Sequence, residues 1–188
     1  MSVPGPTLIY DPFVGAFTDE ELDSLVRYCD SLILSKASLN SPSAAYDDNI
    51  RNTQVAAIGR EDATIWFYKR LVTICRQLNE RSFQFDLTGF SEEAQYMVYH
   101  ASEGSHFDWH FDTGPLPPRK VSLTIQLSDP AQYEGGELQF SIGTKIVSAP
   151  KNRGVVIGFP SYMIHRVTPV TAGTRKAIVT WITGPKFR

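Results

Sequence analysis

The chain has 188 residues, 42% of them hydrophobic and 12% aromatic, enough to bury one sizeable core, and a single domain over 1–188 is the expectation. A formal net charge of −2 argues against a general nucleic-acid binder or a membrane-surface protein. No apolar run is long enough to span a bilayer, and Met1-Ser-Val-Pro-Gly-Pro6 lacks the basic and apolar regions of a secretion signal, so a soluble, cytoplasmic protein is expected.

Thr18 followed by Glu21 is a capping-box signature. Leu22, Leu25, Val26, Cys29 and Leu32 then recur at helical spacing, which predicts an amphipathic helix ending near Ser35. The segment Leu39 to Asn49, rich in Ser, Asn, Asp and Pro, reads as a loop, and Arg51 to Ile58 as a strand. Asp62 to Arg81 reads as a second helix, with Ile65, Tyr68, Leu71, Cys75 and Leu78 along one face. Cys29 and Cys75 sit in these apolar patterns, where a free cysteine acts as a small core hydrophobe, and they are expected to be unpaired.

From Ala94 the pattern changes to short strands punctuated by Gly and Pro. The predicted strands are Gln95 to His100, Ser105 to Asp112, Lys120 to Leu127, Glu137 to Ser141, Lys145 to Ser148, Gly154 to Phe159, Met163 to Val167 and Arg175 to Thr183. Eight such strands predict a mainly β fold, a jelly roll or related barrel over about 94–188 that can enclose a small ligand, buttressed by helices from about 1–93. Gly135-Gly136 reads as a tight turn opening a strand.

Chemistry concentrates in two stretches. Gly104-Ser-His-Phe-Asp-Trp-His-Phe-Asp112 holds two overlapping His-x-Asp units, His106/Asp108 and His110/Asp112. Side chains at i and i+2 share a strand face, so either unit can bring an imidazole and a carboxylate to one ion; all four residues share a parity, and strand geometry leaves both units open. Downstream, His165 sits early in one apolar segment and Arg175 starts the next, with Thr171-Ala-Gly-Thr174 read as the turn between. Two adjacent antiparallel strands would then present both groups to one cavity. A neutral imidazole ligates a metal, and a guanidinium binds a carboxylate through two parallel hydrogen bonds. Two histidines and one carboxylate with open positions form the facial triad of non-haem iron(II) oxygenases.

With these motifs in this order the chain resembles the iron(II)- and 2-oxoglutarate-dependent dioxygenases, and more closely their prolyl 4-hydroxylase-like branch. The resemblance runs from about Gln95 to the C-terminus and rests on Gly104 to Asp112, Glu134-Gly-Gly-Glu-Leu138 and Phe159-Pro-Ser-Tyr-Met-Ile-His-Arg-Val167. It implies a double-stranded β-helix (cupin-like) fold. In that family an aromatic residue stands three positions before the metal histidine and a glycine six before it. Phe107 and Gly104 fit His110 on that count, and Thr113 to Pro118 breaks the strand directly after Asp112, so the expected ligands are His110, Asp112 and His165. His106 and Asp108 would lie outside the ligand set, and His100 would be structural.

The resemblance also implies that Arg175 pairs with the far carboxylate of 2-oxoglutarate, with Tyr99, Thr124 and Gln126 as further candidates around the cosubstrate. Ser122 alternates with Thr124 and Gln126 and could share their face. Val167 and Trp181 are candidates to line or back the pocket, while Arg51 and Asn79 resemble only faintly the substrate-side framework. The implied cofactors are iron(II), 2-oxoglutarate and dioxygen, with ascorbate as an auxiliary reductant. Asp112 in the carboxylate position favours hydroxylation over halogenation. The implied partner is a peptide or small-molecule substrate, prolyl residues first, with the Thr113 to Pro118 loop at the entrance and no nucleic acid or membrane partner. Two other readings remain at this stage: a jelly-roll metal hydrolase or isomerase, and a non-catalytic sugar- or peptide-binding barrel.

Overall fold

A computed structural model describes residues 9–38, 47–114 and 117–186. The expected N-terminal segment Met1 to Pro6, much of the Leu39 to Asn49 loop and the middle of the Thr113 to Pro118 loop fall outside the described residues. No helix among those described is long and apolar enough to cross a membrane.

Helix α1, Asp19–Asp30, begins at the expected capping box: the Glu21 N–H donates to Thr18 Oγ1 (3.2 Å), and the Thr18 N–H donates to the Glu21 carboxylate (2.9 Å). It ends at Ser31, short of Ser35, because Ser35–Lys36 pairs as a short strand, β2. Helix α2, Ile65–Leu78, starts three residues later than expected and continues into a π-type turn at Asn79–Phe83. Ile65 is 42% exposed and does not belong to the buried face, whereas Phe67 and Ile74 do. Asn79 uses its side-chain amide to bracket the next turn, donating to the Phe85 carbonyl (2.9 Å) and accepting from the Phe85 N–H (2.9 Å), a structural task. Cys29 and Cys75 are buried and unpaired, as expected.

The β part is two sheets that face one another and do not close into a barrel. In the larger sheet β1 (Asp11–Phe13), β11 (Val156–Pro160), β7 (Arg119–Gln126), β13 (Val170–Thr183), β5 (Ala94–His100), β4 (Gln54–Ile58) and β2 lie in that order, and β8 (Tyr133–Gly135) pairs with the start of β13. The smaller sheet runs β10 (Lys145–Ser148), β9 (Leu138–Ile142), β12 (His165–Val167), β6 (His106–His110) and β3 (Arg51–Asn52).

Strand alternation divides the core in two. Val121, Leu123 and Ile125 of β7, with Tyr96 and Val98 of β5, meet the helices through Leu25, Cys29, Phe67, Leu71 and Leu78. Each such fully buried side chain contributes about 2 kcal/mol. The opposite face of the larger sheet, through Met97 and Tyr99, meets Leu138, Phe140 and Val167 of the smaller one. On β7 that inner face carries Ser122 and Thr124 in place of apolar residues, and this leaves a polar-walled space between the sheets.

Two expectations about strands change. Arg51 to Ile58 is two strands, because at Thr53 the chain leaves the smaller sheet and enters the larger; Thr53 is buried there and its hydroxyl donates to the Val98 carbonyl (2.8 Å). His165 and Arg175 are also not on adjacent paired strands. Thr171 to Thr174, read as a turn, is part of β13: Ala172 and Gly173 pair with Glu134 and Tyr133. The crossover between sheets falls earlier, at Thr168-Pro169, so the two residues reach the intervening space from opposite sides.

Candidate metal and acid-binding site

A cavity of about 870 Å³ lies between the sheets, lined by His110, Asp112 and His165 on one side and Arg175, Tyr99 and Thr124 on the other. His110 and His165 stand directly opposite each other on hydrogen-bonded strands β6 and β12. Asp112 follows the end of β6, held by its own N–H donating to the Ser161 carbonyl (2.7 Å). The three offer ligand atoms within 4.8 Å of one another. His110 Nε2 lies 3.7 Å from one Asp112 oxygen and His165 Nε2 lies 3.5 Å from the other.

The donor chemistry suits a metal. His110 Nδ1–H donates to the Asp108 carbonyl (2.7 Å) and His165 Nδ1–H to the Met163 carbonyl (2.9 Å), so in each ring Nε2 is the atom left with a lone pair. Burial and the neighbouring His165 imidazole push the His110 pKa down to about 3, which leaves the ring neutral at ordinary pH. At Asp112, burial would raise the carboxyl pKa. The His165 and then the His110 imidazole, with the Ser122 hydroxyl donating to one carboxylate oxygen (2.8 Å), outweigh it and lower the pKa. Ser122 Oγ in turn lies 3.0 Å from Ser161 Oγ, which fixes the carboxylate from behind.

A bulge separates the two His-x-Asp units. His165 pairs with His110 and Val167 pairs with Phe107, so three positions on β6 are spanned by two on β12. The parity shared by His106 and His110 is broken between them, and it is Phe107 that joins His110 on the cavity side. The two rings stack at 3.5 Å between centroids. His106 turns away, its ring nitrogens against the Gly104 and Asn49 carbonyls (3.0 and 3.1 Å), and Asp108 is exposed.

Arg175 is 1% exposed and has no carboxylate partner among the described residues. One Nη–H donates to Gln126 Oε1 (3.0 Å), the guanidinium lies 5.1 Å over the Tyr99 ring, and Nε has no partner. An uncompensated buried cation costs several kcal/mol, a cost that an anion entering the cavity would relieve. The glycine turn makes the room: a Cβ on Gly136 (φ +56°) would lie 2.8 Å from Arg175 Cδ.

Of the other candidates, Tyr99 and Thr124 line the cavity. Gln126 stands behind it, bridging Arg175 and the Pro150 carbonyl (3.3 Å). Ser122, Val167 and Trp181 also line it, while His100 caps a strand end beside the Thr174 hydroxyl (3.1 Å). Two cavity residues carried little or no signal. Arg119 is buried, paired with Glu92 (Nε to Oε1 2.7 Å) and lies 3.7 Å over the Trp181 ring. Its register also shifts, Arg119 pairing with Thr183 and Val121 with Ile182, which turns it onto the face of Ser122. Arg51 lies 4.6 Å over the Phe107 ring. A basic residue at the mouth-side end of a strand was the available clue to both.

Comparison with known proteins agrees with this geometry. Residues 94–183 match the family described as the 2OG-Fe(II) oxygenase superfamily. Curated relatives include PKHD-type hydroxylases of Sphingopyxis alaskensis, 41% identical over 85 residues, and of Cupriavidus metallidurans, 40% identical over 89 residues. The matched stretches are 42% and 43% of this chain and 39% of either relative's length. Among solved structures, a prolyl hydroxylase from Trichoplax adhaerens in complex with a hypoxia inducible factor oxygen degradation domain peptide fragment superposes with a TM-score of 0.77 at 20% identity. It covers 94% of this chain and 84% of that one. A Pseudomonas putida prolyl-4-hydroxylase superposes with a TM-score of 0.71 at 20% identity, covering 94% and 93%. At that identity the two structures establish the shared double-stranded β-helix fold.

Proposed function

We propose that this chain, whose residues 94–183 match the 2OG-Fe(II) oxygenase superfamily, is an iron(II)- and 2-oxoglutarate-dependent hydroxylase of that superfamily acting on a prolyl residue of a peptide or protein, or on a related amino acid. The observation that carries the reading is the pairing of His110, Asp112 and His165 with a buried, uncompensated Arg175 across one cavity. A metal hydrolase or isomerase would use Arg175 for a substrate carboxylate; the match of residues 94–183 to the 2OG-Fe(II) oxygenase superfamily favours 2-oxoglutarate there instead. The peptide fragment with which the Trichoplax neighbour is in complex supports a peptide here. The helical part and the sheets are read as one domain, since α1 and α2 close over the sheet that carries Arg175.

His110, Asp112 and His165 would hold the iron(II), and Arg175 the far carboxylate of 2-oxoglutarate. When bound, these groups with dioxygen supply the oxidant for C–H hydroxylation, 2-oxoglutarate being decarboxylated to succinate. The chain's own work is positional. The two Nδ1–H donations aim both Nε2 lone pairs inward, Ser122 and the Asp112 N–H fix the carboxylate, and Gln126 sets the guanidinium plane. Leu138, Val167 and Trp181 line the space and exclude water.

The test is succinate formation with iron(II) and 2-oxoglutarate across a panel of prolyl peptides and free amino acids. Stimulation by one of them is the expected result. Absence of iron- and 2-oxoglutarate-dependent turnover throughout the panel, with the metal bound, overturns the reading.

A further inference from the structure

Three guanidinium groups line the cavity, those of Arg51, Arg119 and Arg175, and their partners differ. Arg119 is neutralised by Glu92. Arg175, on the proposed function, meets the cosubstrate. Arg51 is left: one Nη–H donates to the Ser38 carbonyl (2.9 Å), the other points at the Met97 sulfur (3.7 Å), and the buried Nε has no partner. The segments outside the described residues contain no Asp or Glu, so every acidic side chain has a described position, and none forms an ion pair with Arg51. A mostly buried guanidinium that faces the cavity with no ion pair among the described residues, and with Asp112 and Arg119 acting on it only from a distance, is held ready for an anion, and its planar fork suits a carboxylate.

Position says where on a substrate that carboxylate must be. The Phe107 ring under Arg51 is the ring that stacks on His110, so the guanidinium sits one aromatic layer from a candidate metal ligand. An extended chain advances about 3.3–3.6 Å per residue, which puts the acid on the oxidised residue itself or on one of its immediate neighbours. Ile50 and Phe111, 39% and 63% exposed, also line the cavity and offer apolar surface to the rest of the substrate.

We propose that Arg51 is a specificity-determining residue that binds a substrate carboxylate next to the site of oxidation. The substrate is therefore acid-bearing, either through an acidic side chain beside the target residue or through the α-carboxylate of a terminal or free amino acid. This rests on the hydroxylase reading, which assigns Arg175 elsewhere.

The experiment titrates four probes calorimetrically, without oxygen, into iron- and 2-oxoglutarate-loaded protein. They are acetyl-Ala-Pro-Ala amide, acetyl-Ala-Pro-Asp amide, acetyl-Ala-Pro acid and L-proline. At least one acid-bearing probe should bind about tenfold or more tightly than the neutral amide, the scale of a charge-assisted hydrogen bond. Arg51→Gln should abolish that preference, with iron content reporting the fold, and Arg51→Lys should restore part of it. Preference for the aspartyl probe identifies a side-chain acid, and preference for the other two an α-carboxylate. Equal binding of the neutral amide, a preference that survives in Arg51→Gln, or no binding of any acid probe overturns the proposal. Arg51-dependent binding without succinate formation on admitting oxygen supports it while sinking the hydroxylase reading; succinate formed equally from neutral and acidic probes does the reverse.

Discussion

The Phe107 ring lies flat on the His110 imidazole, 3.5 Å between centroids and 12° between planes. The contact exists because the bulge in β6 turns Phe107 and His110 to the same side, and with the Nδ1–H bond to the Asp108 carbonyl it fixes the ring in two directions. Phe107→Ala should keep the full ligand set but lower iron(II) affinity by about 10–100-fold, as loss of a ligand-orienting neighbour does. Competition with a chelator of known affinity measures it, and an unchanged value would show that the stack orients nothing.

The same bulge decides between the two His-x-Asp units. Asp112→Ala should empty the metal site, as should His165→Ala, whereas Asp108→Ala should leave iron content at one per chain because that side chain points to solvent. Iron retained by Asp112→Ala and lost by Asp108→Ala reverses the assignment to His106 and Asp108.

Arg175→Ala should weaken 2-oxoglutarate binding by about 2–4 kcal/mol, on the scale of removing one partner from a buried charged pair, and Arg175→Lys by less, with iron content unchanged in both. Gly136→Ala is the indirect version: its Cβ would crowd Arg175 Cδ and Val170 Cγ2 (2.8 and 3.0 Å) at a positive φ, an overpacking that costs about 1–3 kcal/mol. Its signature is a raised 2-oxoglutarate Kd, measured by titration, with normal metal affinity. A normal 2-oxoglutarate Kd in both alanine variants places the acid elsewhere.

Burial pushes the Cys29 and Cys75 thiols up to about 12. An unfolded thiol loses its proton near pH 8.5. Between those values the unfolded state binds fewer protons than the folded one, so these groups cost stability as pH rises above about 8.5 and cost nothing below it, by up to about 1.4 kcal/mol per thiol per pH unit. The fall in urea midpoint from pH 8 to pH 10 should therefore be smaller in Cys29→Ala and Cys75→Ala than in the unaltered chain. A thiol reagent should find no reactive cysteine in the native protein and two after unfolding. An equal pH slope in all three proteins would contradict this.

Much of the site was legible in the chain because its marks are local. Gly104, Phe107, His110 and Asp112 stand within nine residues, and His165 and Arg175 flank one crossover, so the family resemblance these marks carry singled out His110, Asp112, His165 and Arg175, which line one cavity. What sequence hid was the work of bulges and crossovers. The extra residue in β6 reverses strand parity without a Gly or Pro to mark it, and the register shift at Arg119 does so at a strand start where Pro117-Pro118 reads only as loop. The crossover at Thr53 looks like mid-strand because Arg51 to Ile58 stays extended throughout. Thr171 to Thr174 looks like a turn because it contains Gly173, yet this glycine (φ +69°) lies so close to the Gln132 carbonyl that a Cβ would be 2.0 Å from it. Close approach, and not reversal of the chain, is the reason for it.

The placement of His165 and Arg175 on separate sheets makes the site modular. The three candidate metal ligands draw their supports from Met163, Asp108, Ser122 and Ser161, and Arg175 draws its own from Gln126, Tyr99 and Gly136. No residue serves both sets, so in the cosubstrate-free protein substitutions in one should be additive with substitutions in the other. Selection can then retune how tightly the chain holds its acid without disturbing which ion it prefers.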